Sequence, residues 1–256
     1  MPEQPPTHAS DDVIEFNPRS ADEVFHRAVA LISLVRRAML ETKADAAHQD
    51  DEHFAVETDR FELYSWARRE LKGVTGDEEL EILRNETGSL NPGQVEHCVD
   101  ALIAGEMLCW SLGKVEQLSE PGQPAEANID RMLEWVPRPW DSLGKRVHHE
   151  SLREDEAIAM ERERRELWYW RSSLRIEDFE SSEHMDAAIA ETAGEALNAG
   201  LLNVTGGDFV FKGQTVASLS FEHLADIQYL AGLQLRALNW VCGFGASWDT
   251  VPLYPD

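Results

Sequence analysis

Nine residues of this chain are of types that could hold a ligand or move a proton: Glu106, Trp110, Trp170, Arg171, Arg236, Asn239, Trp240, Trp248 and Asp249. A carboxylate such as Glu106 or Asp249 could act as acid or base, Arg171 or Arg236 could hold an anion, and the indoles could stack on a bound molecule. The same residues have a plainer reading. Tryptophans at helical spacing suit a core in which the indole N–H finds a nearby acceptor, and a buried arginine–carboxylate pair can order a core without doing chemistry. No complete catalytic constellation accompanies them. Serine and cysteine nucleophile motifs and a phosphate-cradling glycine loop are missing, and Gly243-Phe244-Gly245 follows a helix instead of a strand. The nine are therefore expected as a pocket or buried polar cluster, with no catalytic residue assigned.

Metal and cofactor chemistry finds little footing. His148-His149-Glu150 offers ligand types, but neighbours on a helix point about 100° apart and rarely share an ion. Asp50-Asp51-Glu52-His53 lacks the glycine and spacing of a calcium loop and reads as a solvated charge run. Cys98, Cys109 and Cys242 are odd in number and lie in apolar helical rows, as reduced core thiols do. We expect neither metal nor cofactor.

The element that must position the polar residues is a helix near the end of the chain. Leu224, Ile227, Ala231, Leu235, Leu238 and Cys242 recur at steps of three and four, and Leu230, Leu233, Ala237 and Trp240 form a second row beside them. So wide an apolar arc predicts a central helix, capped by Ser220 and stopped at Gly243. Arg236 within it should reach solvent or pair with Asp249 or Glu106. Glu106, one turn before Trp110, is expected on an exposed edge, the alternative being a buried carboxylate with a dedicated partner.

The rest of the chain is mostly helical in pattern. Residues 1–19 are proline-rich and acidic, a flexible leader, and residues 20–256 read as a single helical domain. Ser20-x-x-Glu23 opens a helix to about Met39, Lys43 to Glu52 suggests fraying or a loop, and a second helix spans about Val56 to Leu71. Thr75-x-x-Glu78 starts a short helix, and Asn91-Pro92 a longer one burying Val95, Val99, Leu102, Ile103, Met107 and Trp110. From Arg153 to Arg175 a charged helix sets Glu161 four residues from Arg165, and Arg162 four from Glu166, as pairs on an exposed face. Another helix, Glu183 to Ala199, precedes a hairpin, Leu201–Val204 and Asp208–Phe211 around Gly206-Gly207. The fold class is mainly α, a multi-helix domain with one small β-hairpin packed before the central C-terminal helix.

The charge is the most unusual bulk property. Forty-eight acidic residues against 23 basic ones give a formal net charge of -25 over 256 residues. Nucleic acid and anionic membrane both need a basic footprint, so neither is expected as a partner. The charge suits a basic partner protein, a DNA-mimicking surface, or simply a highly soluble protein in a salty or crowded cytoplasm, the last being the plainest reading. No apolar run is long enough to span a bilayer, and no basic-then-apolar leader is present, so we expect a cytoplasmic protein.

Three blocks carry a resemblance. Ala101 to Gly113, Glu161 to Arg171 ending Leu167-Trp168-Tyr169-Trp170-Arg171, and Asp208-Phe209 through Arg236-Ala237-Leu238-Asn239-Trp240 to Trp248-Asp249 resemble, in order, the bacterial family known as domain of unknown function 4272. The resemblance covers about Ser20 to Leu253, implies a mostly helical cytoplasmic domain, and supplies no activity or catalytic residues. Where that family often has a Glu-Arg pair ahead of its Ala-Leu-Asn-Trp, this chain has Leu233 and Gln234, and it ends Tyr254-Pro255-Asp256 in place of an acidic-threonine pair. If those charged positions form a site, this chain lacks it, which argues against an enzyme.

The functional expectation is a non-catalytic, acidic protein-interaction domain, of the inhibitor or immunity type, for a basic partner. The alternative is an enzyme or small-molecule binder whose Trp/Arg/carboxylate pocket lies beside the C-terminal helix.

Overall fold

A computed structural model of the chain describes residues 17–123, 125–145, 150–176 and 183–254. Among these, the helices are α1 (Ala21–Ala46), α2 (Asp50–Glu70), α3 (Asp77–Arg84), α4 (Pro92–Ser111), α5 (Ile129–Trp135), α6 (Asp155–Ile176), α7 (Glu183–Asn198) and α8 (Phe221–Val241). The strands β1 (Val204–Thr205), β2 (Asp208–Phe211) and β3 (Gln214–Thr215) lie between α7 and α8. The molecule is mainly α, as the periodicities predict.

The long helices begin where a side chain can take the place of the missing backbone acceptor. The Ser20 hydroxyl accepts from the Glu23 N–H while the Glu23 carboxylate accepts from Ser20 N at 3.0 Å, a reciprocal cap on α1. Asn91 caps α4, with Pro92 in the first helical position, and Ser220 caps α8. At the other end of α8, Gly243 adopts φ 93°, and a Cβ there would overlap the carbonyl oxygen of Asn17. The same close approach lets Arg19 N donate to Val241 O at 2.9 Å.

Four helices stack side by side: α1 on α4, α4 on α8, and α8 on α6, with α2 and α3 against the outer side of α1. Gly105 on α4 lets the first pair close, since a Cβ there would lie 2.9 Å from Ile32 Cδ1. The larger core joins Val24, Phe25, Leu31, Ile32 and Leu34 of α1 to Trp66, Met107, Leu108, Leu238 and Val241. Each fully buried large side chain contributes roughly 1.5–3 kcal/mol. A smaller cluster gathers Trp168, Ala193, Phe209, Phe211, Leu224 and Ile227 where α6, α7 and α8 meet the strands.

The β-element carries one strand more than the hairpin expected. Val204 pairs with Phe209 and Thr205 with Asp208 around Gly206 and Gly207, both at positive φ as the turn requires. Val210 and Phe211 then pair with Thr215 and Gln214 of β3. Residues this short between turns leave no period-two signal to read.

Several sequence expectations are corrected. Lys43 to Ala46 continue α1 and Asp50-Asp51-Glu52 open α2, so the loop is only residues 47–49. Acidic side chains in a first turn favour the helix dipole, which explains why this polar run is helical. The cap of α3 is Gly76, with Glu79 accepting from its N–H, one residue later than Thr75. Val95 and Val99 are 41% and 49% exposed instead of buried, because in the first half of α4 only the face carrying Cys98 and Ala101 meets the core. Residues 1–16 of the expected leader and His148-His149 lie outside the described residues.

Candidate functional site

The last turns of α8 and the segment after it bring five of the nine residues together. Asn239, fully buried, donates its amide to Pro252 O (2.8 Å) and Leu253 O (3.0 Å) and accepts from Arg162 Nε (2.6 Å) through its side-chain oxygen. One turn earlier on the same side, Arg236 Nη2 donates to the carbonyls of Trp248 (3.2 Å) and Asp249 (3.3 Å). These bonds hold residues 247–254 across α8 like a strap. Arg236 pairs with neither the Asp249 nor the Glu106 carboxylate; it is half-buried and takes main-chain oxygens instead.

Trp240 and Trp248 meet edge to face, ring centres 5.4 Å apart. The Arg19 guanidinium lies over Trp240 at 4.6 Å and that of Arg27 over Trp248 at 4.3 Å. Arg27 is in turn held by buried Glu79, with a bond of 3.0 Å to Oε2. This ladder walls a cleft of about 570 Å³ that also reaches His26, Lys72 and Asp249. On the other side of the strap, Tyr169, Tyr229, Leu233, Arg236, Asp249 and Leu253 line a second cleft of about 700 Å³.

The remaining four residues lie elsewhere. Glu106 is completely buried, contrary to the exposed edge expected. Its Oε1 accepts from Ser119 N (3.2 Å), the Ser119 hydroxyl (2.8 Å) and the Asn128 amide, while Oε2 has no partner among the described residues. The dedicated partners come from the loop after α4, which helical periodicity could not place. Trp110 has Arg153 stacked over it at 4.9 Å and lines a polar cleft of about 480 Å³ with Glu161, Arg164 and Arg165. Trp170 leans on Phe209, and Arg171 is bound by Asp208 across the strands. Glu106, Arg171 and Arg236 therefore occupy three separate settings.

Sequence reasoning missed Asp208 and misplaced Glu161–Arg165. Asp208 precedes Phe209 in a four-residue strand, and alternation would turn it outward. Glu161 and Arg165 are 5% and 3% exposed, not on a solvated face: α6 is covered on this side by Gln234 and the loop at Ser119, both of which Arg165 Nη1 reaches. Tyr169 and Tyr229 carried no sequence signal for a cleft.

Nucleophilic chemistry has no support in the thiols. Burial pushes Cys98 and Cys242 to about 12 and Cys109 higher still, so none is a thiolate at neutral pH. Burial also raises Asp100, and burial together with Asp100 raises the Tyr229 phenol that bonds to it. Among the described residues no group of three His, Cys, Asp or Glu side chains is placed to hold a metal. What the arrangement offers a ligand is stacked arginines, aromatic walls and clefts.

The family described as Domain of unknown function (DUF4272) matches residues 1–198, and the chain belongs to it. That match takes in the blocks at Ala101–Gly113 and Glu161–Arg171 and stops before β2 and α8. No curated protein and no solved structure matches the chain.

Proposed function

We propose that this member of the DUF4272 family is a non-catalytic, acidic interaction domain of the cytoplasm that binds a basic protein, as an inhibitor or immunity partner does. The observation that carries this reading is where the arginines go. Arg37 donates to the carbonyls of Ile82, Asn85 and Glu86 at the end of α3, and Arg60 to that of Arg84. Arg153 serves the end of α4 (Trp110 O, 2.6 Å), Arg36 the end of α5 (Val136 O, 2.9 Å) and Arg19 the end of α8 (Trp240 O, 3.0 Å). Helix C-termini present unpaired carbonyls and the negative end of the helix dipole, so cations belong there. The consequence is a surface on which carboxylates outnumber the cations.

Among the described residues the exposed cations are Lys43, Arg68, Arg69, Lys72, Arg84, Arg131, Arg138 and Lys212, and exposed carboxylates outnumber them several-fold. Such a field accelerates encounter with a basic surface and repels nucleic acid and anionic lipid. No helix of the described residues is long and apolar enough to cross a membrane. Affinity capture from native lysate at low and moderate salt tests the reading. A stoichiometric basic protein, released as salt rises, is the expected result; a co-purifying small molecule with no protein partner would overturn it.

A second reading, a small-molecule binder, is favoured by one specific feature. Arg236 and Asp249 both line the larger cleft beside α8 without forming an ion pair.

A further inference from the structure

We propose that the cleft beside α8 takes a small zwitterion of the α-amino-acid class, its carboxylate on Arg236 and its ammonium group on Asp249. The inference rests on the second reading above and gives it a ligand class.

Arg236 differs from the arginines around it. Arg27, Arg165 and Arg171 each meet a buried carboxylate, and Arg162 meets Glu166. Among the described residues Arg236 makes two long bonds, at 3.2 and 3.3 Å, both from Nη2 to main-chain carbonyls, with no bond from Nη1 and with Nε buried and unpartnered. A guanidinium in that condition keeps donors for a planar carboxylate.

Asp249 supplies the opposite charge. Asp249 lines the cleft and is exposed, and since Arg236 takes its main-chain oxygen, its carboxylate is left with no ion-pair partner among the described residues. Two unlike charges lining one cleft and left unneutralised match a ligand that carries both.

The field of the whole protein points the same way. With a net charge of -25, a free anion is repelled on approach, whereas a molecule of zero net charge is not. The cleft is also lined by Leu233, Val251, Leu253 and the tyrosines Tyr169 and Tyr229, which suit an apolar or aromatic side chain. The Tyr169 ring lies against α8 at Gly232, 3.2 Å from where a Cβ would stand, so the glycine sets how closely that wall approaches the helix. A volume of about 700 Å³ accommodates a ligand of this size.

The test is calorimetric titration of the full chain with L-leucine and L-phenylalanine, their N-acetyl forms and their amides. The free amino acid should bind, and blocking either end should weaken binding by about tenfold or more, as loss of a charge-assisted bond does. Arg236→Met should erase the preference for free carboxylate over amide. Asp249→Asn, which keeps the main-chain contacts of the strap, should erase the preference for free amine over N-acetyl. Circular dichroism and thermal melting verify that each variant is folded. If N-acetyl-leucine binds as tightly as leucine and needs Arg236, the cleft is a plain carboxylate site: the zwitterion inference fails and the binder reading stands. If neither amino acid nor any blocked form binds the parent chain at millimolar concentration, both fail.

Discussion

Arg171 and Asp208 face each other across a two-point contact, Nε to Oδ1 at 2.8 Å and Nη2 to Oδ2 at 2.9 Å, with 2% and 7% of their surfaces exposed. Asp208 also accepts from the N–H groups of Phe209 and Ala217, both at 2.8 Å. One carboxylate thus fastens α6, β2 and the turn ahead of α8. Removing one partner of a buried pair strands the other, at a cost of about 3–5 kcal/mol. Asp208→Ala should lower stability by that amount in urea unfolding, and the double replacement Arg171→Met with Asp208→Leu should lower it less than either change alone. A single variant within about 1 kcal/mol of the parent would show that the pair is not what fastens the strands.

Arg37 makes a different kind of demand. Its guanidinium, fully buried, spans the carbonyls of Ile82 (3.1 Å), Asn85 (2.9 Å) and Glu86 (3.0 Å). A lysine ammonium is a compact charge on a flexible stem and cannot reproduce that fork. Arg37→Lys should therefore release the end of α3, seen as faster amide hydrogen exchange across residues 77–84 with α4 and α8 unchanged. Uniform acceleration through the whole chain would mean instead that Arg37 stabilises the core globally.

The cap at the start of α1 gives a pH dependence of known sign. Glu23 is held below the ordinary carboxylate range, first by the hydrogen bond from the Ser20 hydroxyl and then by that from its N–H, burial opposing. A lowered native pKa contributes stability that is present above the unfolded value of about 4.3 and is lost as pH falls through the native one. Glu23→Gln should flatten the stability profile in that acid window and leave the slope near neutrality as it was. Ser20→Ala should cost about 1 kcal/mol, as loss of an N-cap does.

How much of this was legible follows from the reach of each signal. Caps and breaks are local, so Ser20, Asn91-Pro92, Ser220 and Gly243 mark their helix ends directly in the sequence. The first apolar row of α8 is buried as its spacing implies, while Leu230 and Leu233 of the second are only part-buried. The greater burial of α1 was less legible, because Arg27 and Arg37 interrupt its stripe and find partners 52 and 45 residues away. The candidate residues fared the same way. That Arg236, Asn239, Trp240, Trp248 and Asp249 gather is readable from their closeness in the chain. That Glu106 meets Asn128, or Arg171 meets Asp208, depends on where a loop and a strand are laid, and neither has a periodicity to announce it.

The thiols allow a clean check on the interior. Cys98, Cys109 and Cys242 are free and buried, and burial raises all three above the range in which thiolate forms near pH 8. A thiol-reactive disulfide reagent should leave the native protein unmodified over minutes and titrate three thiols per chain once it is unfolded in denaturant. Rapid reaction of any one of them in the native state would place it at a surface and reopen nucleophilic chemistry.

Salt should stabilise this protein. A chain of net charge -25 whose arginines serve helix ends and buried carboxylates has little positive surface to offset its own repulsion. Mobile ions screen exposed charges over about 8–10 Å near physiological strength, while pairs such as Arg165–Glu161, at 4% and 6% side-chain exposure, are screened much less. Raising sodium chloride from about 0.02 to about 0.5 M should therefore raise stability by roughly 1–2 kcal/mol, or several degrees of melting temperature for a chain of this size. Potassium chloride should act alike, since screening does not depend on the cation. A plateau near the salt at which screening is complete fits an acidic face kept for a basic partner. Stability still climbing at molar salt would assign the acidity to a salty environment and remove the main support for that partner.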